Sequence, residues 1–277
     1  MKVVVQKVLN ASVVVNKEEV GKINSGLLIF VGFTHNDDIS NIKYIVNKIV
    51  NLRVFEDSNN VMNLSALELN KELLVVSQFT LYADTSKGIL LLMNKYLKLS
   101  ENYEPDDLEE ISSKYFIYGN TAVRRMRKEA KEAFEMLSEA SIANGTPVYG
   151  QSAYRPYSMQ EKLYKNAVSS MGQKQADIDT ARPGHSEHQT GLTIDVSSTK
   201  NGNMLYFDSS SSFTWMKENA YKYGFILRYT KELENITGFM YESWHYRYVG
   251  VKVATDMHDN YPELSYDEYY YKFIDNK

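Results

Sequence analysis

Gly184-His185-Ser186-Glu187-His188-Gln189-Thr190-Gly191-Leu192-Thr193-Ile194-Asp195-Val196 is the stretch from which the organisation of this chain can be read. In Leu192-Thr193-Ile194-Asp195-Val196 apolar and polar residues alternate. The alternation predicts a strand that buries Leu192, Ile194 and Val196 on one face and turns Asp195 to the other. Gly191 permits a sharp bend that could fold His188 back over the Asp195 face. A later stretch, Glu242-Ser243-Trp244-His245-Tyr246-Arg247-Tyr248, brings a further histidine. His188, Asp195 and His245 together make a set of two imidazoles and one carboxylate. A catalytic zinc site needs three protein ligands, with a fourth position open to water. Glu242, three residues before His245, lies close enough to act as a base beside such a metal without ligating it.

The chain has 277 residues, room for two modest domains or one large one. Hydrophobic residues make up 43% and charged residues 24%, which is ordinary for a soluble globular protein. The net charge of −4 offers nucleic acid no general attraction and leaves only a local patch open; tRNA is not an expected partner. Cysteine is absent, which excludes a thiol nucleophile and any Cys-ligated zinc. The opening Met1-Lys2-Val3-Val4-Val5-Gln6-Lys7-Val8 does not read as a signal peptide, and Gly88-Ile89-Leu90-Leu91-Leu92-Met93 is too short to span a bilayer. The expectation is a cytoplasmic product with no membrane span. The sequence carries no signal for oligomeric state.

Ser186-x-His188-x-x-Gly191-x-x-x-Asp195 followed by Glu242-x-Trp244-His245 resembles the VanY-type D-alanyl-D-alanine carboxypeptidases, zinc peptidases of the LAS group. The resemblance runs upstream through Ser152-Ala153-Tyr154-Arg155-Pro156-Tyr157 and Gln160 to Asn94-Lys95 and Tyr103-Glu104-Pro105-Asp106-Asp107-Leu108, covering about residues 90 to 277. Ser243 stands where the family usually has Pro, and Pro156 where it has Ser. The resemblance implies zinc on His188, Asp195 and His245, Glu242 as base, and Arg155 as oxyanion stabiliser. It also implies a D-Ala-D-Ala-terminated peptide as substrate, with Ser186, Gln160 and Tyr154 helping to hold it. His185 is then a neighbour and not a ligand, while His35 and His258 are expected to be structural or on the surface.

A second resemblance covers residues 1 to 88, which are similar to the first half of a D-aminoacyl-tRNA deacylase. It is carried by Phe30-Val31-Gly32, Asn51-Leu52-Arg53-Val54-Phe55-Glu56-Asp57 and Met62-Asn63-Leu64-Ser65. Ser77, Gln78, Phe79 and Thr80 resemble that family's active-site strand. The family's other signature, a Gly-Pro within an Asn-x-Gly-Pro-Val-Thr run, is missing, since no Gly-Pro occurs in this chain. The expected fold is therefore α+β: a LAS, hedgehog-like zinc D,D-peptidase domain at 121–277 preceded by a truncated mixed β-sheet half-domain at 1–88, with 89–120 as junction and lead-in.

The remaining pattern fills in this frame. Strands are expected at Val3–Val5, Ala11–Val15, Gly26–Gly32 and, as a buried strand, Leu73–Tyr82, with a helix over 40–55 capped by Ser40. Leu108 to Ile111 reads as the start of a short helix, and Thr121 to Ala143 as a long amphipathic one. Arg124-Arg125-Arg127-Lys128 would form that helix's solvated face, balanced by Glu129, Glu132 and Glu135. Val148–Ala153 reads as a strand, Ser158-Met159-Gln160-Glu161 as a capping box, and Ser209–Ser212 as a helix start closed by Gly224. The Tyr-rich tail Tyr266 to Phe273 reads as packing surface. Three functions compete: a zinc D,D-carboxypeptidase, a D-aminoacyl-tRNA deacylase, and a non-catalytic zinc-stabilised binding module. Retention of Glu242 speaks against the last and the missing Gly-Pro against the second. Dipeptidase against carboxypeptidase, and D,D- against L,D-specificity, stay open.

Overall fold

The computed structural model describes residues 1–15, 17–32, 38–77, 85–119, 123–202 and 204–275. The chain divides into two compact units, Met1–Tyr82 and Ala83–Lys277.

In the first unit, β1 (Lys2–Val8), β2 (Ala11–Val15), β3 (Glu18–Ile23) and β4 (Gly26–Gly32) precede α1 (Ile39–Val50), and β5 (Phe55–Glu56), β6 (Met62–Leu64) and β7 (Glu72–Ser77) follow it. β4 lies between antiparallel β1 and parallel β7. Its buried residues Leu27, Ile29 and Val31 pack with Ile49 of α1 and with Phe55. Two expectations change. Asp38 caps α1, accepting from the Asn41 N–H, while Ser40 is already inside the helix and donates its hydroxyl to Asp38. β7 is less buried than its apolar run suggested, since Leu73 and Val75 are exposed. Leu73 and Val75 alternate with the partly buried Leu74 and Val76, so it is one face of β7 that is left to solvent.

The second unit is built on a four-stranded antiparallel sheet in the order β10 (Tyr149–Ser152), β11 (Thr193–Ser197), β13 (His245–Tyr248), β12 (Phe225–Leu227). Around it lie β8 (Leu108–Glu110), β9 (Arg125–Arg127), α2 (Lys128–Ala143), α3 (Tyr157–Met171), α4 (Gln173–Asp179), α5 (Ser211–Asn219), α6 (Glu234–Thr237), α7 (Val251–Asn260) and α8 (Tyr266–Tyr269). Ile194, Val196, Phe225, Tyr246 and Tyr248 join Phe134 and Leu137 of α2 and Met216 of α5 in one apolar core. Burying side chains of this size removes them from water at roughly 1.5–3 kcal/mol each. Thr193, Asp195 and Ser197 alternate with Ile194 and Val196 and are buried as well, so β11 is covered on both faces.

The helix expected over 121–143 begins only at Lys128. Arg125–Arg127 forms β9, paired with β8, where a helix start had been expected. The reason is cross-strand electrostatics. Arg124 pairs with Glu110 at 2.8 Å, Arg125 with Glu104 at 3.1 Å and Arg127 with Asp107 at 2.9 Å, so these arginines are answered by acids from the lead-in and not by those of the helix. α3 starts at Tyr157 after Pro156, which places Ser158 inside the helix, and no side chain caps it. The Ser210 cap of α5 and the left-handed Gly224 closing the following turn are as expected. The tyrosine tail packs inward: Tyr266, Tyr269 and Tyr270 are buried, and Tyr266 donates to the Leu90 carbonyl at 2.9 Å.

His188 reaches the sheet through one turn. It sits in a short 3-10 segment, Glu187–Thr190, that ends on Gly191 in the left-handed region at φ 68°. A Cβ there would lie 2.8 Å from Leu108 Cδ2 and 3.1 Å from Arg127 Cγ. Gly191→Ala is therefore expected to cost about 1–3 kcal/mol, from left-handed backbone strain and the collision together. Urea unfolding of the two chains checks this, and an unchanged midpoint would contradict it.

Candidate functional site

The register of the sheet assembles the site. Asp195 on β11 stands opposite His245 on β13 and opposite Ser152 on β10. Directly opposed residues place their Cβ atoms about 4.5–5.5 Å apart, so Asp195 and His245 share the face away from the apolar core. The Gly191 turn then brings His188 over the same face. One donor atom from each of His188, Asp195 and His245 falls within 4.8 Å of the others, and all three residues are buried.

The spacing and orientation suit a metal. His188 Nε2 lies 3.3 Å from Asp195 Oδ2, and His245 Nδ1 lies 3.2 Å from Asp195 Oδ1. Donors about 2.0–2.1 Å from a tetrahedral zinc would be separated by roughly the same distance. Asp195 Oδ1 is buried and accepts no hydrogen bond, an orphaned acceptor turned to the middle of the set. The far side of each ring is engaged by protein. His188 Nδ1 donates to the Ala153 carbonyl at 2.7 Å, and His245 Nε2 faces Glu187 Oε2 at 3.4 Å. Partners of this kind fix which ring nitrogen a ligand histidine presents.

Protonation follows from the packing. Burial, with Arg155 beside it, pushes His188 down, so its imidazole is neutral and able to ligate. Burial also opposes a charge on His245, but the Asp195 and Glu187 carboxylates outweigh it and lift the ring to about 9. The proton held there is the one a divalent cation would displace. Burial resists ionisation of Asp195 too, yet His188 and His245 hold its carboxyl far below the usual range. Glu242 behaves differently. Burial and the Asp195 charge lift it to about 7, against the opposing pull of His245 and Arg155. A carboxyl poised near neutrality, with Oε2 3.3 Å from His245 Nδ1, is placed to accept and return a proton.

Arg155 enters from the loop after β10. Its backbone N–H is tied to the His188 carbonyl at 3.1 Å, and its guanidinium donates to Gln160 Oε1 at 2.8 Å and Ser152 Oγ at 3.1 Å. It stands 3.5 Å from Asp195 Oδ2. Gln160 donates its amide to the Ala181 carbonyl at 2.7 Å, so both ends of that side chain are engaged in holding Arg155 to the wall. Arg155, Gln160, Ser186 and Glu242 all line a cleft of about 320 Å³ together with the two histidines and Asp195. Tyr154 is not in it. The ring of Tyr154 is buried beneath the Arg125 guanidinium, 5.0 Å away, because consecutive residues leaving a strand turn to opposite sides and Arg155 takes the cleft side.

His185 lies outside the metal set, with Nδ1 3.0 Å from the Asn94 carbonyl, and His258 is exposed and stacked on Tyr221. His35 lies outside the described residues, as do Gln78, Phe79 and Thr80 of the deacylase-like strand, while Ser77 ends β7 and is exposed. Glu187 was not anticipated. A single acid in a turn ordinarily faces water, and nothing local marks this one as buried. Among the described residues no helix is long and apolar enough to cross a membrane.

Comparison with known proteins gives both halves a family. A D-alanyl-D-alanine carboxypeptidase (VanY) family model matches residues 123–251, and a D-Tyr-tRNA(Tyr) deacylase model matches residues 4–103. A putative carboxypeptidase, YodJ of Bacillus subtilis, is 42% identical over 188 residues, 67% of this chain and 68% of that protein. The D-aminoacyl-tRNA deacylase of Halothermothrix orenii is 57% identical over 88 residues, 32% of this chain, so the chain spans only 59% of that relative's length. The Thermosipho africanus deacylase aligns at 40% identity over 148 residues, 53% of this chain and 93% of that protein, which is longer than the first unit alone.

Among solved structures, the LdcB LD-carboxypeptidase superposes with a TM-score of 0.62 at 41% identity, covering 68% of this chain and 88% of that one. VanYB in complex with D-alanine-D-alanine gives 0.56 at 27%, covering 67% and 98%. A point variant of the D,D-pentapeptidase VanY in complex with Zn(II) gives 0.55 at 28%, covering 65% and 98%. The chain thus belongs to the VanY D-alanyl-D-alanine carboxypeptidase family through its second unit, joined to an N-terminal segment of the D-aminoacyl-tRNA deacylase family.

Proposed function

We propose that the second unit is a zinc-dependent carboxypeptidase that removes the terminal D-alanine from peptidoglycan-type peptides ending in D-Ala-D-Ala. The observation that carries this reading is the buried set of His188, Asp195 and His245 with a carboxyl poised near pH 7 beside it. The relatives' association with D-Ala-D-Ala and with Zn(II) supports the choice of substrate and metal.

Zinc held by His188, Asp195 and His245 would polarise the scissile carbonyl and lower the pKa of a bound water from about 16 to about 7. Glu242 takes the proton of the attacking water and passes it to the departing amine as the C–N bond breaks. Arg155, kept on the cleft wall by Gln160 and Ser152, faces the carbonyl oxygen as it gains charge. The cleft's Ser186 stands beside the metal set and can meet the substrate's terminal carboxylate.

Residues 90–277 are proposed to form an autonomous domain, since every group named above lies inside them. That fragment is expected to fold and bind one zinc, and His188→Ala to abolish stoichiometric binding. Metal analysis after dialysis checks it, and a zinc-free folded fragment would remove the assignment. Glu242→Ala is expected to keep the metal while hydrolysis of a D-Ala-D-Ala-terminated pentapeptide falls roughly 10²–10⁴-fold. Arg155→Ala should lose about 10²–10³-fold, as for one oxyanion donor. Full activity in Glu242→Ala would mean another base or another reaction. The deacylase-like unit is expected to be silent toward D-Tyr-tRNA, because the Gly-Pro element its family uses does not occur in this chain. Chelator-resistant hydrolysis of D-Tyr-tRNA by the full chain, lost on changing Gln78 and Phe79, would show the opposite.

A further inference from the structure

Glu187 is 1% exposed and makes none of the contacts that a turn carboxylate usually makes with water. Its Oε1 accepts from Arg228 Nε at 2.9 Å and from Arg247 Nη1 at 3.2 Å, while its Oε2 faces His245 Nε2. Both arginines are themselves buried and anchored elsewhere. Arg247 donates to the carbonyls of Ile89 and Leu91, in the lead-in to the domain. Arg228 forms a 2.7 Å ion pair with Asp267 in α8, and Asp267 accepts from Asn94 Nδ2 at 2.7 Å. Two carboxylates and two guanidiniums thus form a balanced chain from the C-terminal segment to the back of a metal-ligating ring.

We propose that Glu187 is the positioning residue of the metal set. It holds the His245 ring with Nε2 turned into the protein and Nδ1 turned to Asp195, and α8 holds Glu187 in turn through Asp267 and Arg228. An imidazole can rotate by half a turn about its Cβ–Cγ bond at little intrinsic cost, and the rotated ring would carry Nδ1 away from Asp195. A carboxylate gripped by two guanidiniums cannot follow such a rotation, so its remaining oxygen selects one ring orientation. His188 gets the same service from a backbone carbonyl, which explains why only one of the two histidines needs an acid behind it. The tail is thereby part of the metal site's construction as well as its packing.

The proposal rests on the metal reading above, and the experiment separates the two. Zinc affinity of the full chain is measured by competition with a chromophoric chelator, together with the visible spectrum of the Co(II)-loaded protein, for wild type, Glu187→Gln and Asp267→Asn. Glu187→Gln is expected to lose about 10–100-fold in zinc affinity with an altered Co(II) spectrum, and Asp267→Asn to lose a smaller factor. Wild-type affinity and spectrum in Glu187→Gln, even with a lowered melting temperature, would make Glu187 merely the counter-charge of two buried arginines and overturn the proposal. Should Glu187→Gln fail to fold, Asp267→Asn decides: unchanged zinc affinity overturns the proposal and weakened affinity supports it. A wild-type chain that takes up no zinc overturns the metal reading and this proposal together, an outcome distinct from equal binding by wild type and variant.

Discussion

Asp195 and His245 occupy opposed positions on neighbouring antiparallel strands, and the second unit is arranged around keeping them there. A slip of one residue in either strand would turn the side chain toward Phe134 and Val196 and bring an aliphatic or aromatic group to the cleft. Register is held against that slip from both sides of the sheet. Ile194, Val196, Tyr246 and Tyr248 have nowhere else to be buried, and on the polar face Asp195 is engaged by His188, His245 and Arg155, and His245 by Glu187. The Gly191 turn adds His188, the third member of the set, by a separate device, a left-handed residue in a space that admits no Cβ.

Such a face gathers charge where water is scarce. Asp195, Glu187, Arg228, Arg247 and both histidines are almost wholly buried, and a lone ion in that position would be expelled or neutralised. The arrangement is tolerated because every ion has a partner. Removing one member of such a pair typically costs about 3–5 kcal/mol, since the other is left uncompensated. Glu242 stands slightly apart from this balance. Burial and the neighbouring Asp195 charge lift it toward neutrality against His245 and Arg155, while His188 and His245 hold Asp195 ionised and Arg228 and Arg247 hold Glu187 so.

The sequence exposed the parts of this design that are local. Strand alternation, the glycine bend and the spacing of Glu242 to His245 are short-range patterns, and they point to His188, Asp195 and His245 as a candidate metal set, three side chains the fold does bring together. The parts that were missed depend on contacts between distant segments. Arg124 to Arg127 has helical spacing, but Glu104, Asp107 and Glu110 recruit it into a strand. Gln160 was expected to help hold the substrate, yet its side chain is taken up by Arg155 and the Ala181 carbonyl. Tyr154 and Arg155 were assigned to the same cleft, but Arg155 takes the cleft side and the Tyr154 ring is buried beneath Arg125. Asp267 lies in a tail that looked like tyrosine packing, and its role appears only when Arg228 is placed between it and Glu187.

The division of labour between sheet and cleft wall has an evolutionary side. His188, Asp195, His245, Glu187 and Glu242 come from β11, β13 and the turns that lead into them, where almost any change disturbs several buried partners at once. Leu163 of α3, Leu205 after β11 and Met240 between α6 and β13 contribute apolar wall to the same cleft. Leu163 and Leu205 thus come from stretches apart from the charged set, while Met240 lies two residues before Glu242. Descendants of such a scaffold can therefore reshape the cleft through Leu163 or Leu205 without touching His188, Asp195 or His245.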